Sequence, residues 1–244
     1  MLRKGSGKAM ITQKTINILV ENRLNDSKAW YEEHKSEIKK FVLDPFFSLI
    51  ESLDPDMLSI DPLIVTEPKV DRTLSRIYRD TRFTRDKSRY RDSIWIHFNR
   101  DKNLFPGYPS FFFELKPVFA WWGCGFYMAD PAVAESCRKM ILNRDPIFMK
   151  AKTTMDQSSY FVLDEEERFR RTRFPDQPEE FRRWLDRKSI YFAHMEENVE
   201  TVFTESLADI LRADFMKLEP LYRFMCTACE RAIASDHVIR GDKI

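Results

Sequence analysis

The chain has 244 residues, 43% of them hydrophobic, which is enough to bury a large core and sits near the upper end of what one domain holds. Lys and Arg number 40 against 39 Asp and Glu, a balance that gives no reason to expect general adhesion to nucleic acid or membranes and makes any electrostatic role local. No apolar run is long enough to span a bilayer and Met1 to Met10 lack the apolar stretch of a signal peptide, so a cytoplasmic location is expected.

Asp26 and Ser27 are N-cap residues, and Trp30, His34, Ile38, Phe41, Phe46, Leu49, Ile50 and Leu53 follow at helical spacing. The pattern predicts a long helix, bent or restarted at Asp44-Pro45 and broken at Asp54-Pro55 and Asp61-Pro62. From Leu63 to Ala129 the signal changes to short aromatic and β-branched runs. Leu63 to Val65, Thr73 to Tyr78, Ile94 to Phe98, Ser110 to Leu115 and Phe119 to Met128 read as strands, with connections too short for helical crossovers. The last is nearly all apolar, as expected for a central strand covered on both faces.

Asp130-Pro131 opens a helix with Val133, Cys137, Met140 and Ile141 as its apolar stripe, and Asp145-Pro146 opens a shorter one. Tyr160 to Leu163 and Ser189 to His194 are two further strands, with a helix opened by Pro178 between them. Asp164 to Arg173 balances its charges and reads as a solvated connection. Two helices, Ser206 to Asp214 and Phe215 to Ala234, close the chain. The fold class is therefore α+β: a single domain with a central mixed, mainly antiparallel sheet flanked by N-terminal and C-terminal helices.

Cys124, Cys137, Cys226 and Cys229 are too few for a disulfide framework and read as free thiols of a reducing compartment. Cys226 and Cys229 form a CxxC inside an apolar-periodic stretch, without a second CxxC or a His pair to complete a zinc site, so core packing is expected and no metal site is assigned.

The sharpest local feature lies between Arg72 and Arg91. Arg72, Arg76, Arg79, Arg82, Arg85, Lys87, Arg89 and Arg91 stand there against Asp80 and Asp86, whereas only Arg3 and Arg23 precede them among the arginines. On a strand, Arg72, Leu74, Arg76 and Tyr78 would share one face and Ile77 and Arg79 the other, with Arg82 to Arg91 as a basic loop. Arginine suits phosphate and carboxylate because its planar fork donates two parallel hydrogen bonds and keeps its charge when partly desolvated. The alternative is structural: the same arginines pair with Asp71, Asp80, Asp86, Glu67 or Glu114 and pin the loop to the sheet.

The run Arg76-Ile77-Tyr78-Arg79-Asp80-Thr81-Arg82-Phe83, continued by Asp86, Lys87 and Tyr90, resembles the signature of the domain-of-unknown-function family 2461, a group of conserved hypothetical proteins found mainly in bacteria. The resemblance extends to Asn25 through Lys35, to Gly123-Cys124-Gly125 with Tyr127, and to Leu221 through Phe224, so it covers roughly residues 11 to 232. It implies one domain over 11–232 with flexible termini at 1–10 and 233–244. Arg89 departs from the family's proline and loosens the implied turn, while Arg91 replaces a lysine and keeps the charge. The resemblance carries no activity, but it concentrates attention on the matched positions.

His34 lies one helical turn from Trp30, and His97 points away from Ile94, Ile96 and Phe98; both read as half-buried ring packing or, for His34, as a general base. His194 and His237 have no motif around them. Gly123 and Gly125 leave a shallow groove beside Trp121 and Tyr127 where a helix, another backbone or a flat ligand approaches closely. No Walker, nucleophile-elbow, HExxH or dinucleotide fingerprint is present, and the sequence names no cofactor.

The expected ligand residues are Arg76, Arg79, Arg82, Lys87 and Tyr90, with a phosphorylated small molecule or a nucleic-acid backbone as partner. The alternatives are an enzyme acting on a phosphoryl or carboxylate substrate, with Asp80, Asp86 or His34 moving protons or holding a divalent ion, and a structural protein in which the arginines are internal staples.

Overall fold

The computed structural model describes residues 10–82, 85–126, 128–165 and 168–241, the last six as backbone alone. The chain is α+β: among the described residues five strands form one antiparallel sheet in the order β1-β2-β3-β5-β4, with β1 Ile94–Phe98, β2 Ser110–Leu115, β3 Ala120–Gly125, β4 Val162–Leu163 and β5 Tyr191–Glu196. The chain forms two compact units, the first comprising residues 1–98, 112–122 and 195–213 and the second residues 99–111, 123–194 and 214–244.

In the first unit, helix α1 (Gln13–Asn25) precedes the position where the sequence pattern places the first helix. Its buried residues Thr15, Ile16, Ile18, Leu19 and Asn22 include polar side chains at core positions, which hides the periodicity. Asp26 ends α1 in a left-handed conformation with φ 46°, and Ser27 alone caps α2 (Lys28–Glu33), its hydroxyl accepting Trp30 N–H at 3.4 Å. After α3 (Lys35–Ile38) a π-helical turn at Lys39–Leu43 leads into α4 (Asp44–Ile60), the restart expected at Pro45.

The expected break at Asp54-Pro55 is absent, because α4 runs through Pro55 to Ile60. Pro55 and Glu51 are both exposed, so the carbonyl that loses its donor meets water. Leu49, Ile50, Leu53, Met57 and Ile60 keep the opposite face buried, each side chain contributing about 1.5 to 3 kcal/mol. Within this unit Phe46 packs on Phe113 with ring centroids 6.0 Å apart.

Leu63 to Val65 and Thr73 to Tyr78 are not strands. Leu74 makes a single antiparallel bridge to Ile96. Ser75 N–H donates to Trp95 O at 2.9 Å, but Trp95 N–H returns to the Ser75 hydroxyl at 3.0 Å, so a side chain takes the place of a ladder carbonyl and the pairing stops. The expected alternation fails with it: Leu74 and Ile77 are both buried, and Arg76 is exposed.

In the second unit α5 (Pro131–Leu142), α6 (Pro146–Asp156) and α7 (Glu179–Leu185) begin where the sequence predicts, with Asp130 and Asp145 accepting from Ala132 and Ile147 N–H. Phe148, Trp184 and Phe224 form its aromatic core, Phe148 lying 5.3 Å from Trp184 and 5.2 Å from Phe224. The two expected closing helices are one, α8 (Leu207–Gly241), which also continues past the expected domain end at Ala232. Buried Leu211, Phe215, Leu218 and Tyr222 carry one apolar stripe across the expected boundary, leaving nothing there to end the helix.

All four cysteines are free and buried. Burial pushes the Cys137 thiol up to about 12 and raises Cys124 and Cys229 as well, which is the core-packing reading of the CxxC.

Candidate functional site

The arginine segment belongs to the first unit and is a long loop closed at its neck. Tyr78 and Tyr90 form an antiparallel bridge, Arg79 N–H donates to Arg89 O and Arg91 N–H to Ile77 O, both at 2.8 Å. The Tyr31 ring from α2 stacks on Tyr90 at 5.3 Å and tilts against Tyr78 at 5.2 Å, while Tyr78 and Tyr90 lie 4.8 Å apart. Tyr90 is fully buried, and burial followed by its hydrogen bond with the Tyr78 hydroxyl pushes its phenol well above the ordinary range. Tyr90 is thus the floor of the loop and stays protonated.

The two acids inside the loop organise its two limbs. Asp86 accepts from Ser88 at both hydroxyl (2.6 Å) and N–H (3.0 Å), from Arg23 Nη2 at 2.6 Å and from Arg79 Nη1. These donors, Ser88 first and the two guanidiniums after it, hold its carboxyl far below the ordinary carboxylate range. Arg23 spans to the neck as well, donating Nη1 to Tyr90 O at 2.9 Å. Asp80 takes Arg82 as a fork, Nε at 3.0 Å and Nη2 at 2.7 Å, with Arg82 N–H at 3.1 Å, and these bonds lower its carboxyl to about 2.

Four of the five acids named from sequence as arginine partners serve that role. Arg76 pairs with Asp71 at 2.6 Å and Arg72 with Glu67 at 3.5 Å, in addition to the Asp80 and Asp86 pairs. Glu114 instead accepts Trp121 Nε1 at 2.6 Å, with Lys116 at 3.9 Å.

The second limb differs. Arg85, Lys87 and Arg89 are exposed; Lys87 Nζ donates to Thr81 O at 2.7 Å, and among the described residues none of the three has a carboxylate partner. Arg91 lies over the Trp95 ring at 4.6 Å. The limb's backbone is fixed nonetheless, since Arg89 N–H donates to Asp26 Oδ1 at 2.6 Å and Ser88 to Asp86. Phe83, Tyr127 and the His237 side chain, singled out in the sequence, lie outside the described residues.

His34 stacks on Trp30 with ring centroids 3.9 Å apart and its Nδ1 lies 2.9 Å from Trp30 O. No hydrogen bond, ion pair or ring contact among the described residues joins it to Asp80 or Asp86, and both acids are occupied by arginine. No three His, Cys, Asp or Glu residues among those described are grouped to hold a metal ion. Gly123 and Gly125 do not form an open groove: a Cβ on Gly123 would lie 2.0 Å from Phe192 O and one on Gly125 2.0 Å from the Tyr191 Cβ, because the β5 backbone occupies that space. Of the three approaches considered, another backbone is the one realised.

Sequence reasoning missed Arg23, Asp26 and Tyr31. For Asp26 and Tyr31 the signal was the second resembling stretch, Asn25 to Lys35, whereas Arg23 lies before it and had none. The model of the family described as "Conserved hypothetical protein (DUF2461)" matches residues 14–224. Among curated proteins none matches the chain.

Proposed function

The chain belongs to the conserved hypothetical protein family DUF2461, and we propose that it is an anion-binding protein whose contact surface is the second limb of the arginine loop. The observation that carries this reading is the division of labour inside the loop: Arg76, Arg79 and Arg82 are paired with Asp71, Asp86 and Asp80, while Arg85, Lys87 and Arg89 stay exposed. In this reading the paired arginines and Tyr90 position the limb, and the exposed cations touch the ligand. Cations that are separately solvated gain little from one small anion, but on a polyanion each releases a counterion, so a nucleic-acid backbone is the preferred partner over a phosphorylated small molecule.

The test is fluorescence anisotropy of a labelled single-stranded oligonucleotide across a salt series. Three phosphate contacts give a slope of log affinity against log salt of about −2, and Arg85→Ala/Arg89→Ala reduces it in magnitude by about 1.4. Binding that ignores salt, or a variant with the wild-type slope, rejects the reading.

A second reading is favoured by Asp86, which gathers both Arg23 and Arg79: the loop is a structural staple. Arg79→Ala then lowers the melting temperature while oligonucleotide and phosphate ligands leave the wild type unshifted.

A further inference from the structure

The second unit holds a separate cationic pocket, of about 270 Å³, lined by no residue of the arginine segment. Its apolar wall is Ala129, Pro131 and Ala134, and its other lining residues are Phe169, Arg138, Arg173 and Lys188. Pro131, Ala134 and Arg138 share one face of α5 by helical spacing.

Among the described residues these three cations meet one carboxylate, that of Glu135. The Arg138 side chain is 11% exposed and donates Nη2 to Arg187 O at 2.9 Å and Nε to Leu185 O at 3.4 Å, two uncharged acceptors. Its acidic neighbour is Glu135, 3.6 Å away and largely exposed. Arg173 lies over the Phe169 ring at 3.9 Å and Arg138 at 5.5 Å from the same centroid. Neither Arg173 nor Lys188 has a carboxylate partner among the described residues, and both are exposed.

The frame is rigid where it must be. Buried Asp186, at the end of α7, accepts Phe169 N–H on its carbonyl at 2.8 Å and Arg173 N–H on Oδ1 at 3.0 Å, fixing the backbone of both wall residues. Arg187, its side chain 1% exposed, ties the adjoining segment to Asp164 O and to Glu165 Oε1.

We propose that this pocket binds a small organic dianion, a phosphate monoester or a short dicarboxylate. Its charge is met by Arg138, Arg173 and Lys188, and its carbon part lies against Ala129, Pro131 and Ala134. Among the described residues three cations face one exposed carboxylate, which favours a doubly charged ligand, and the volume suits a small molecule rather than a chain. The site shares no residue with the arginine loop and stands or falls separately from it.

Calorimetric titration of the full chain with phenyl phosphate and with succinate tests the assignment. Saturable binding of at least one is expected, weakened about tenfold or more in Arg173→Ala/Lys188→Ala, as loss of charge-assisted hydrogen bonds requires, and unchanged in Arg85→Ala/Arg89→Ala. Phenyl phosphate alone binding identifies a phosphate monoester, and succinate alone a dicarboxylate. Lys188→Glu, a single change at an exposed position, gives the same loss without touching the frame. Absence of saturable binding to the wild type, or equal binding by the pocket variants, overturns the proposal.

Discussion

The carboxylate of Asp26 accepts the main-chain N–H of Arg89 at 2.6 Å, joining residues 63 positions apart. Asp26 performs this from a left-handed backbone conformation at the end of α1, with φ 46°. One residue therefore turns the chain and anchors the exposed limb of the arginine loop.

The two roles separate by substitution. Asp26→Gly keeps the turn and removes the acceptor, so it is expected to cost about 1 kcal/mol and to weaken oligonucleotide binding. Asp26→Asn keeps both turn and acceptor and is expected to leave melting and binding close to wild type. Thermal denaturation and anisotropy read the difference.

Asp86→Asn leaves Arg23 and Arg79 facing an uncharged amide. The melting temperature is expected to fall by a few degrees, and the freed charge is expected to strengthen oligonucleotide binding at low salt. A variant with lower melting and no gain in affinity supports the staple reading over the binding one.

Acid sensitivity follows from the same carboxylates. Asp80 is lowered from 3.8 to about 2 and Asp86 further still. A carboxyl depressed in the folded state stabilises fully above its unfolded value and loses that contribution as pH falls through the folded one. Their contribution is thus constant from neutral pH to about 5, begins to fall near about 4 and goes on falling as pH drops through about 2 for Asp80 and lower for Asp86. Denaturant titrations from pH 7 to pH 2 are expected to show that decline, shallower in Asp80→Asn.

Gly123→Ala places a Cβ 2.0 Å from Phe192 O and 2.8 Å from Ala193 Cα, both backbone atoms that no rotamer can move aside. The expected loss is about 3 kcal/mol or more, read by urea denaturation. Gly107, where a Cβ meets nothing within 4 Å, has a positive φ of 74°, so Gly107→Ala is strained but unclashed. It is expected to cost about 1 to 2 kcal/mol.

Asn22 is buried in α1, and among the described residues neither of its amide atoms has a hydrogen-bond partner. Asn22→Leu conserves the shape and removes two unmet polar groups, so a gain of about 1 to 2 kcal/mol is expected in the same denaturation experiment.

The boundaries of β1 and β2 and the caps at Asp130 and Asp145 were legible because local chemistry decides them: β-branched and aromatic runs for the strands, an acceptor followed by proline for the helices. α1 was not, since Thr15 and Asn22 occupy core positions that a hydrophobic pattern leaves blank. The Pro55 break was misread because proline's cost depends on whether the orphaned carbonyl faces water, a property of tertiary structure. In the arginine loop the sequence identified the acids but could not say which arginines they would consume, since Asp86 chooses Arg23 from α1 as well as Arg79. The dianion pocket left no sequence signal, because Arg138, Phe169, Arg173 and Lys188 come together only through α5 and the connections around α7.

Cys124, Cys137, Cys226 and Cys229 are the chain's four thiols, and all lie buried in the second unit. Alkylation of the native protein must therefore wait for an opening of that unit, and its rate under fast-closing conditions measures the free energy of the opening rather than any property of the thiols. The cysteines are a built-in clock for one half of the molecule. A ligand that binds the dianion pocket is expected to slow labelling, since the pocket and all four thiols lie in the same unit.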